Sequence, residues 1–210
     1  MIPLESLTPF LFASVLLCLA PGPDNLFVLS QSALYGGKSG LFVILGLCSG
    51  LVFHTTAVAL GVAAVFQASV AAFTILKLAG AVYLLYLAWQ AFRASASRLD
   101  HPAANQLSGF RLYRRGIIMS ITNPKLSIFF LAFLPQFAAP ANGPVMQQIF
   151  VLGLFFILVT LLVFGGIALL AGTIGGWLSR SPKAQVYMNR AAGTLFVGLA
   201  LRLAADTASS

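Results

Sequence analysis

The stretch "CLAPGPDNLFVL", residues 18–29, interrupts an apolar segment with two prolines and a charged residue. A proline blocks the helix that precedes it, but it is well accepted in the first turn of a new helix. We therefore predict that one helix ends before Pro21 and that another begins at Pro23. Asp24 and Asn25 then lie in the first turn of the second helix, where the helix dipole favours a carboxylate.

The composition around this stretch identifies the class of protein. Of the 210 residues, 60% are hydrophobic and 8% are charged, and the mean hydropathy is +0.97. A soluble domain carries about 25% charged residues, which this chain lacks. The long apolar runs also lack the alternation typical of transmembrane β-strands. We predict a single all-α integral membrane domain over residues 1–210 that has the lipid bilayer as its solvent.

The gaps between charged residues indicate the number of membrane spans. No charged residue lies between Lys38 and Lys77, or between Lys125 and Arg180. Because a span needs about 20 apolar residues, the second gap holds two spans. The N-terminal segment lacks the basic start of a signal peptide, so we expect it to be retained. Six helices are predicted, near residues 5–34, 40–66, 71–93, 112–137, 145–172 and 188–205.

The formal net charge of +8 is concentrated in the connections between predicted spans. The segment that joins helices three and four has a strong excess of arginine over acid. Positive connections stay on the cytoplasmic side of a membrane, which explains the basic character without a nucleic-acid partner. We predict that the connector 94–111 is cytoplasmic and that both termini of this multi-pass membrane protein lie outside.

The two halves of the chain resemble each other weakly. "PDNLFVL" (23–29) corresponds to "PKLSIFF" (124–130), and "KLAGAVYLLYLA" (77–88) corresponds to "RAAGTLFVGLAL" (190–201). With three helices in each half, the second copy must enter the membrane from the opposite side. We therefore predict two inverted repeats, 1–93 and 112–205, with helices one and four broken near the bilayer midplane, as in many secondary transporters.

Asp24 and Lys125 follow the two predicted breaks at equivalent positions of the repeat. A charge at the bilayer centre costs roughly 2.5–3.5 kcal/mol on insertion scales, which favours a pair of opposite charges. Asn123 precedes Pro124 and is placed to cap the second broken helix. We predict that these residues, with Asn25, form a polar centre for binding or coupling. The alternative is a structural ion pair that only locks the two helices together.

Other polar residues in the predicted spans have two interpretations. His54 is a candidate proton carrier, although a lone histidine is more often a hydrogen-bonding group between packed helices. Lys77 is placed either to reach the membrane interface or to contact a substrate. Cys18 and Cys48 are expected to be apolar packing residues. No zinc-protease motif or paired aspartates are present in the sequence, so we expect no enzyme, no metal and no cofactor.

Two long motifs resemble those of a known family. "APGPDNLFVLSQSALYGGKSGLFVILGLCSG" (20–50) and "GIIMSITNPKLSIFFLAFLPQF" (116–137) are similar to the two signatures of the LysE/RhtB amino-acid exporters, in particular the homoserine/threonine-exporter branch. The resemblance implies a proton-driven inner-membrane antiporter for amino acids or close derivatives. A channel or a structural membrane subunit is the alternative. The motifs do not identify the substrate. They also leave undecided whether the protein forms a homodimer through a glycine-rich face.

Overall fold

The structure, a computed structural model, describes residues 2–20, 22–68, 70–94, 107–171 and 182–208. Regular structure within these ranges is helical. The main helices are α1 (Leu4–Leu19), α2 (Pro23–Tyr35), α3 (Gly37–Ala68), α4 (Val70–Arg93), α5 (Gly109–Ile121), α6 (Pro124–Ile128), α7 (Val145–Leu169) and α8 (Pro182–Ala208). After α6 the chain continues through a π-helical turn, Phe129–Phe133, and two 3-10 turns, Leu134–Phe137 and Pro140–Asn142.

The two helix breaks lie where the prolines predict them. The axis turns by 61° between α1 and α2, and by 50° between α5 and the segment that starts at Pro124. Pro23 and Pro124 each occupy the first turn of the new helix, where a missing backbone N–H costs little. The prediction that both helices are interrupted near 21–23 and 122–124 is therefore confirmed.

Two of the described helices can each cross a membrane by their length and composition. Gly37–Gly61 of α3 and the whole of α7 are long and apolar enough to cross a membrane. The two bent pairs, α1 with α2 and α5 with α6, would each qualify as one span, which brings the total to four among the described residues. Helices α4 and α8 occupy the third and sixth predicted positions. Six spans and the inverted arrangement of the two halves stay predictions.

Helices α3 and α5 pack at close range through glycines. A methyl group added at Gly46 would overlap the backbone carbonyl of Tyr113, and one added at Gly116 would overlap that of Val43. Backbone approach of this kind requires small residues on both helices. The sequence "GLCSG" (46–50) is a G-x-x-x-G motif, a pattern that allows close packing of helices, and the structure shows such packing at Gly46. A second match, "GTIGG" (172–176), lies outside the described residues.

We expect Gly46→Ala to lower the stability of the folded protein by about 1–3 kcal/mol, because the new methyl group must displace the backbone of α5. Gly61→Ala is the matched control on the same helix, because no atom lies within contact distance of an added methyl group there. The control should be neutral or slightly stabilising. The thermal midpoints of both purified variants test this, and equal midpoints would contradict the packing account.

A cluster of buried phenylalanines packs the segment after the second break against α7. The ring of Phe129 lies 4.5 Å from that of Phe133 and 5.3 Å from that of Phe156 on α7, measured between centroids. All three side chains are fully buried. Since closely packed aromatic rings resist displacement, the segment that follows Lys125 is held firmly against α7.

Candidate functional site

At the first break, a side-chain hydrogen bond joins the start of α2 to the end of α1. Gly22 adopts an extended conformation at the N-cap, and Pro23 starts the helix. The Asn25 side-chain amide donates a hydrogen bond to the carbonyl of Cys18, one of the last carbonyls of α1. Asn25 therefore satisfies part of the broken end of α1, while Asp24 lies beside it in the first turn and is 2% exposed.

The second break is capped as the sequence predicts. Asn123 has an extended backbone, and its Oδ1 accepts a hydrogen bond of 3.0 Å from the backbone N–H of Lys125. Pro124 occupies the first position of α6, where it needs no hydrogen-bond partner. This arrangement fixes the backbone of Lys125 and directs its side chain toward α1 and α2.

The structure brings Asp24 and Lys125 together. Lys125 Nζ lies 3.4 Å from Asp24 Oδ1, and the exposed fractions of the two side chains are 12% and 3%. The same ammonium donates to the carbonyl of Ala20 at 3.3 Å and, more weakly, to that of Leu17 at 3.5 Å. Both carbonyls belong to the broken end of α1, where the helix dipole favours a cation. The first break thus supplies a carboxylate and two carbonyls to one lysine.

Gly22 leaves the space in which this ion pair forms. A methyl group added there would lie 2.6 Å from Asp24 Oδ1 and 3.0 Å from Lys125 Nζ. Any side chain at this position would have to displace one of the two charged groups. The backbone of Gly22 is extended, a conformation that other residues also adopt, so backbone conformation does not require a glycine here. The close approach of the ion pair does require one.

A cavity of about 450 Å³ lies between the two breaks, α4 and α8. Among the described residues that line it, Lys125 carries the charge, and the other polar groups are neutral. They include Asn123, Tyr83, Tyr86, Gln90 and Asn189. From the sequence alone, Tyr83 and Tyr86 could line a cavity or lie at the membrane interface, and the structure places both among the lining residues. Gln90 and Asn189 were missed, although polar amides within largely apolar helices were a usable signal.

Asn123 contributes an unused donor to this site. Its Nδ2 is buried and has no hydrogen-bond partner among the described residues, while its Oδ1 serves as the helix cap. A buried amide without a partner is costly unless a ligand or water completes it. Next to the ammonium of Lys125, this N–H group is suited to an anionic or carbonyl oxygen.

Asp24 lies deeper than we expected from the sequence. The sequence predicted one polar centre that Asp24 shares with Lys125, Asn123 and Asn25, and we expected its carboxylate to face a polar cavity. Asp24 instead lines a separate cavity of about 10 Å³ with Cys18 and Thr160. The long side chain of Lys125 crosses from the large cavity to reach it. The difference follows from side-chain length, because the short Asp24 side chain stays near α2 whereas a lysine spans several ångströms.

His54 occupies a different part of the bundle. Its Nε2 lies 3.0 Å from the backbone carbonyl of Ser120, and its ring lies 5.7 Å from that of Phe130. The side chain is buried and lines neither of the two cavities. These contacts favour helix packing between α3 and α5. The side chain of Lys77 lies outside the described residues.

An ion pair at the breaks of two helices, inside a largely apolar bundle, is typical of the polar centre of a membrane protein. The chain matches the model of the LysE type translocator family over residues 15–207, and it belongs to this family. The family resemblance of the two motifs is thereby confirmed, and the family consists of transporters rather than enzymes.

Three relatives illustrate the range of the family. The chain is 37% identical to a homoserine/homoserine lactone efflux protein of Salmonella typhimurium, with 90% of each chain covered. It is 33% identical to an uncharacterized membrane protein of Vibrio cholerae, covering 93% of this chain and 94% of the relative. It is 30% identical to a leucine efflux protein of Salmonella choleraesuis, covering 93% and 92%. No solved structure matches the chain.

Proposed function

We propose that this protein exports amino acids or close derivatives across the bacterial inner membrane in exchange for protons. The observation that carries the proposal is the Asp24–Lys125 pair at the edge of a cavity lined by neutral polar groups. Relatives named for the efflux of homoserine, its lactone and leucine support this substrate class. The cavity volume lies within the usual range for small-molecule sites.

A zwitterion is suited to this pair because it can exchange partners with it. The carboxylate of the amino acid forms an ion pair with Lys125 in place of Asp24 and accepts a hydrogen bond from the Asn123 amide. The ammonium of the amino acid forms an ion pair with Asp24. Two new ion pairs then replace one, so no buried charge is left without a partner. Protonation of Asp24 removes the charge that holds the ammonium and favours release of the substrate.

The position of the large cavity supports uptake from the cytoplasm. Gln90 and Ala94, which line it, lie at the end of α4 that leads into the basic connector 94–111. That connector is the segment that the positive-inside rule assigns to the cytoplasm. In this topology the cavity reaches the cytoplasmic end of α4, on the side from which an exporter takes its substrate.

The test of function is uptake of radiolabelled homoserine or leucine into inside-out membrane vesicles. We expect an acidic vesicle interior to drive accumulation above the level reached without a pH gradient. An uptake that is equal with and without the gradient would contradict proton exchange, and it would favour a channel.

The proposed topology has its own test. A cysteine introduced by Asn105→Cys should react with a membrane-impermeant thiol reagent only from the cytoplasmic side. Ser209→Cys, near the C-terminus, should react only from the outside. Cys18 and Cys48 are buried and give a low background. Labelling of position 105 from the outside would overturn both the orientation and the inverted-repeat argument.

A further inference from the structure

The first turns of α5 present an exposed basic face. Arg111, Arg114 and Arg115 are exposed, as are the apolar side chains of Phe110, at 71%, and Ile118, at 52%. At about 100° per residue, these five positions fall within an arc of about 140° around the helix. The buried residues of α5 lie on the opposite face: Leu112, Gly116 and Ser120. One face of α5 thus combines three arginines with exposed apolar side chains at both ends.

The basic face lies at the level expected for the lipid headgroups. Arg111 is ten residues before Ile121, the last residue of α5, which corresponds to about 15 Å along a helix. If the second break lies near the bilayer midplane, as we predict, about 15 Å is also half the thickness of the hydrocarbon core. Arg114 and Arg115 lie one turn deeper. Helical side chains lean toward the N-terminus, so both guanidinium groups extend toward the same interface.

The protein supplies almost no negative charge to balance these arginines. Its acidic residues are Glu5, Asp24, Asp100 and Asp206. Asp24 is paired with Lys125, and the proposed topology places Glu5 and Asp206 outside with the two termini. Asp100 is then the one acidic residue of the sequence on the cytoplasmic side. The counter-charge for the basic face of α5 must therefore come largely from outside the protein.

The three arginines differ in what already holds them. The guanidinium carbon of Arg115 lies 4.6 Å from the centroid of the Phe27 ring on α2, in a cation–π contact. Arg111 and Arg114 form no ion pair within the part of the chain that the structure describes. These two side chains are therefore available to an anion at the surface, and Arg115 adds a fixed positive charge beside them.

Beyond the proposed function, and resting only on the proposed topology, we propose that this face of α5 binds an anionic phospholipid of the cytoplasmic leaflet. Arg111 and Arg114 donate to the phosphate oxygens, because a guanidinium group matches phosphate in charge and geometry. Phe110 packs at the interface, and Ile118 contacts the acyl chains. Basic clusters next to a membrane span favour anionic lipids in this way.

A lipid fits this surface better than an acidic soluble partner does. Ile118 is three residues before the end of α5, so it lies about 5 Å from the predicted midplane, where only lipid reaches it. The positive-inside rule explains why basic residues lie on this side of the membrane. It does not require three of them to share the exposed face of one helix with apolar side chains.

The test is lipid binding to the purified full-length protein in a neutral detergent, measured by native mass spectrometry. We expect phosphatidylglycerol to bind more tightly than phosphatidylcholine. Arg111→Gln with Arg114→Gln should weaken phosphatidylglycerol binding about 25-fold, or about fivefold per arginine, and leave phosphatidylcholine binding unchanged. Arg111→Lys with Arg114→Lys keeps both charges and should stay within about threefold of wild type.

Arg93→Gln is the matched control for the single variant Arg114→Gln. Arg93 is an exposed arginine in the last turn of α4, where its guanidinium carbon lies 4.6 Å from the centroid of the Trp89 ring. The control removes one charge from another helix at the same end of the bundle. Its affinity for phosphatidylglycerol should stay within about twofold of wild type, against a fivefold loss in Arg114→Gln.

The variants change exposed side chains, so their thermal midpoints without lipid should equal that of wild type. An unchanged preference for phosphatidylglycerol in the double glutamine variant would overturn the proposal. Displacement of the lipid by an equal concentration of inorganic phosphate would also overturn it, because the face would then bind small anions. A micelle has no cytoplasmic side, so these results do not depend on the topology or on transport, which the labelling and uptake experiments test separately.

Discussion

Asp24→Asn is expected to abolish proton-driven export. The variant keeps the size and hydrogen-bonding capacity of the side chain but can neither carry a proton nor hold an ammonium group. Lys125 would lose the carboxylate that lies 3.4 Å from its ammonium. Uptake of homoserine into acidic inside-out vesicles should fall to the level of vesicles that lack the protein.

Loss of folded protein must be separated from loss of transport in this variant. Removing one partner of a buried ion pair costs on the order of 3–5 kcal/mol, so the amount of protein in the membrane is measured alongside. Glu5→Gln is the matched control because Glu5 is an exposed acid in the first turn of α1. If Asp24→Asn protein inserts normally and a pH gradient still drives accumulation of the substrate, then the coupling of transport to protons does not depend on Asp24.

Lys125→Met is expected to have the second largest effect. Methionine preserves much of the chain length but removes the positive charge at the wall of the large cavity. A hydrogen bond to a charged group contributes roughly 1.5–3 kcal/mol, so apparent affinity for the substrate should fall about 10- to 100-fold. The concentration dependence of counterflow measures this directly.

The control for this variant is Lys38→Met. Lys38 is an exposed residue in the first turn of α3 and does not line either cavity. Its apparent affinity should equal that of wild type. An unchanged affinity in Lys125→Met, at a normal level of protein, would mean that the substrate carboxylate binds to another group.

The helix breaks were predictable because proline has a strong local effect. Pro23 and Pro124 each remove a backbone donor and restrict the residue before them, whatever the rest of the chain does. Asn123 is favoured at an N-cap for an equally local reason. The pairing of Asp24 with Lys125 needed one further step, which is the high cost of an unpaired charge in an apolar bundle.

The division of the site into two cavities could not be predicted from the sequence. It depends on how α4 and α8 pack against the breaks, because Tyr83, Gln90 and Asn189 reach the site from helices distant in the chain. The placement of Asp24 behind Lys125 also depends on tertiary packing, here against α1 and α7. Local propensity and periodicity contain no information about such contacts.

The most direct test of the central claim is transport by the double variant Asp24→Asn with Lys125→Met. It removes both charges together, so the cost of an unpaired buried charge is absent and the protein should insert and fold. We predict that it stays inactive in both proton-driven uptake and counterflow, because the groups that bind and couple are gone. Full recovery of transport in the double variant would show that the pair is only a lock between the helices, and it would contradict the mechanism.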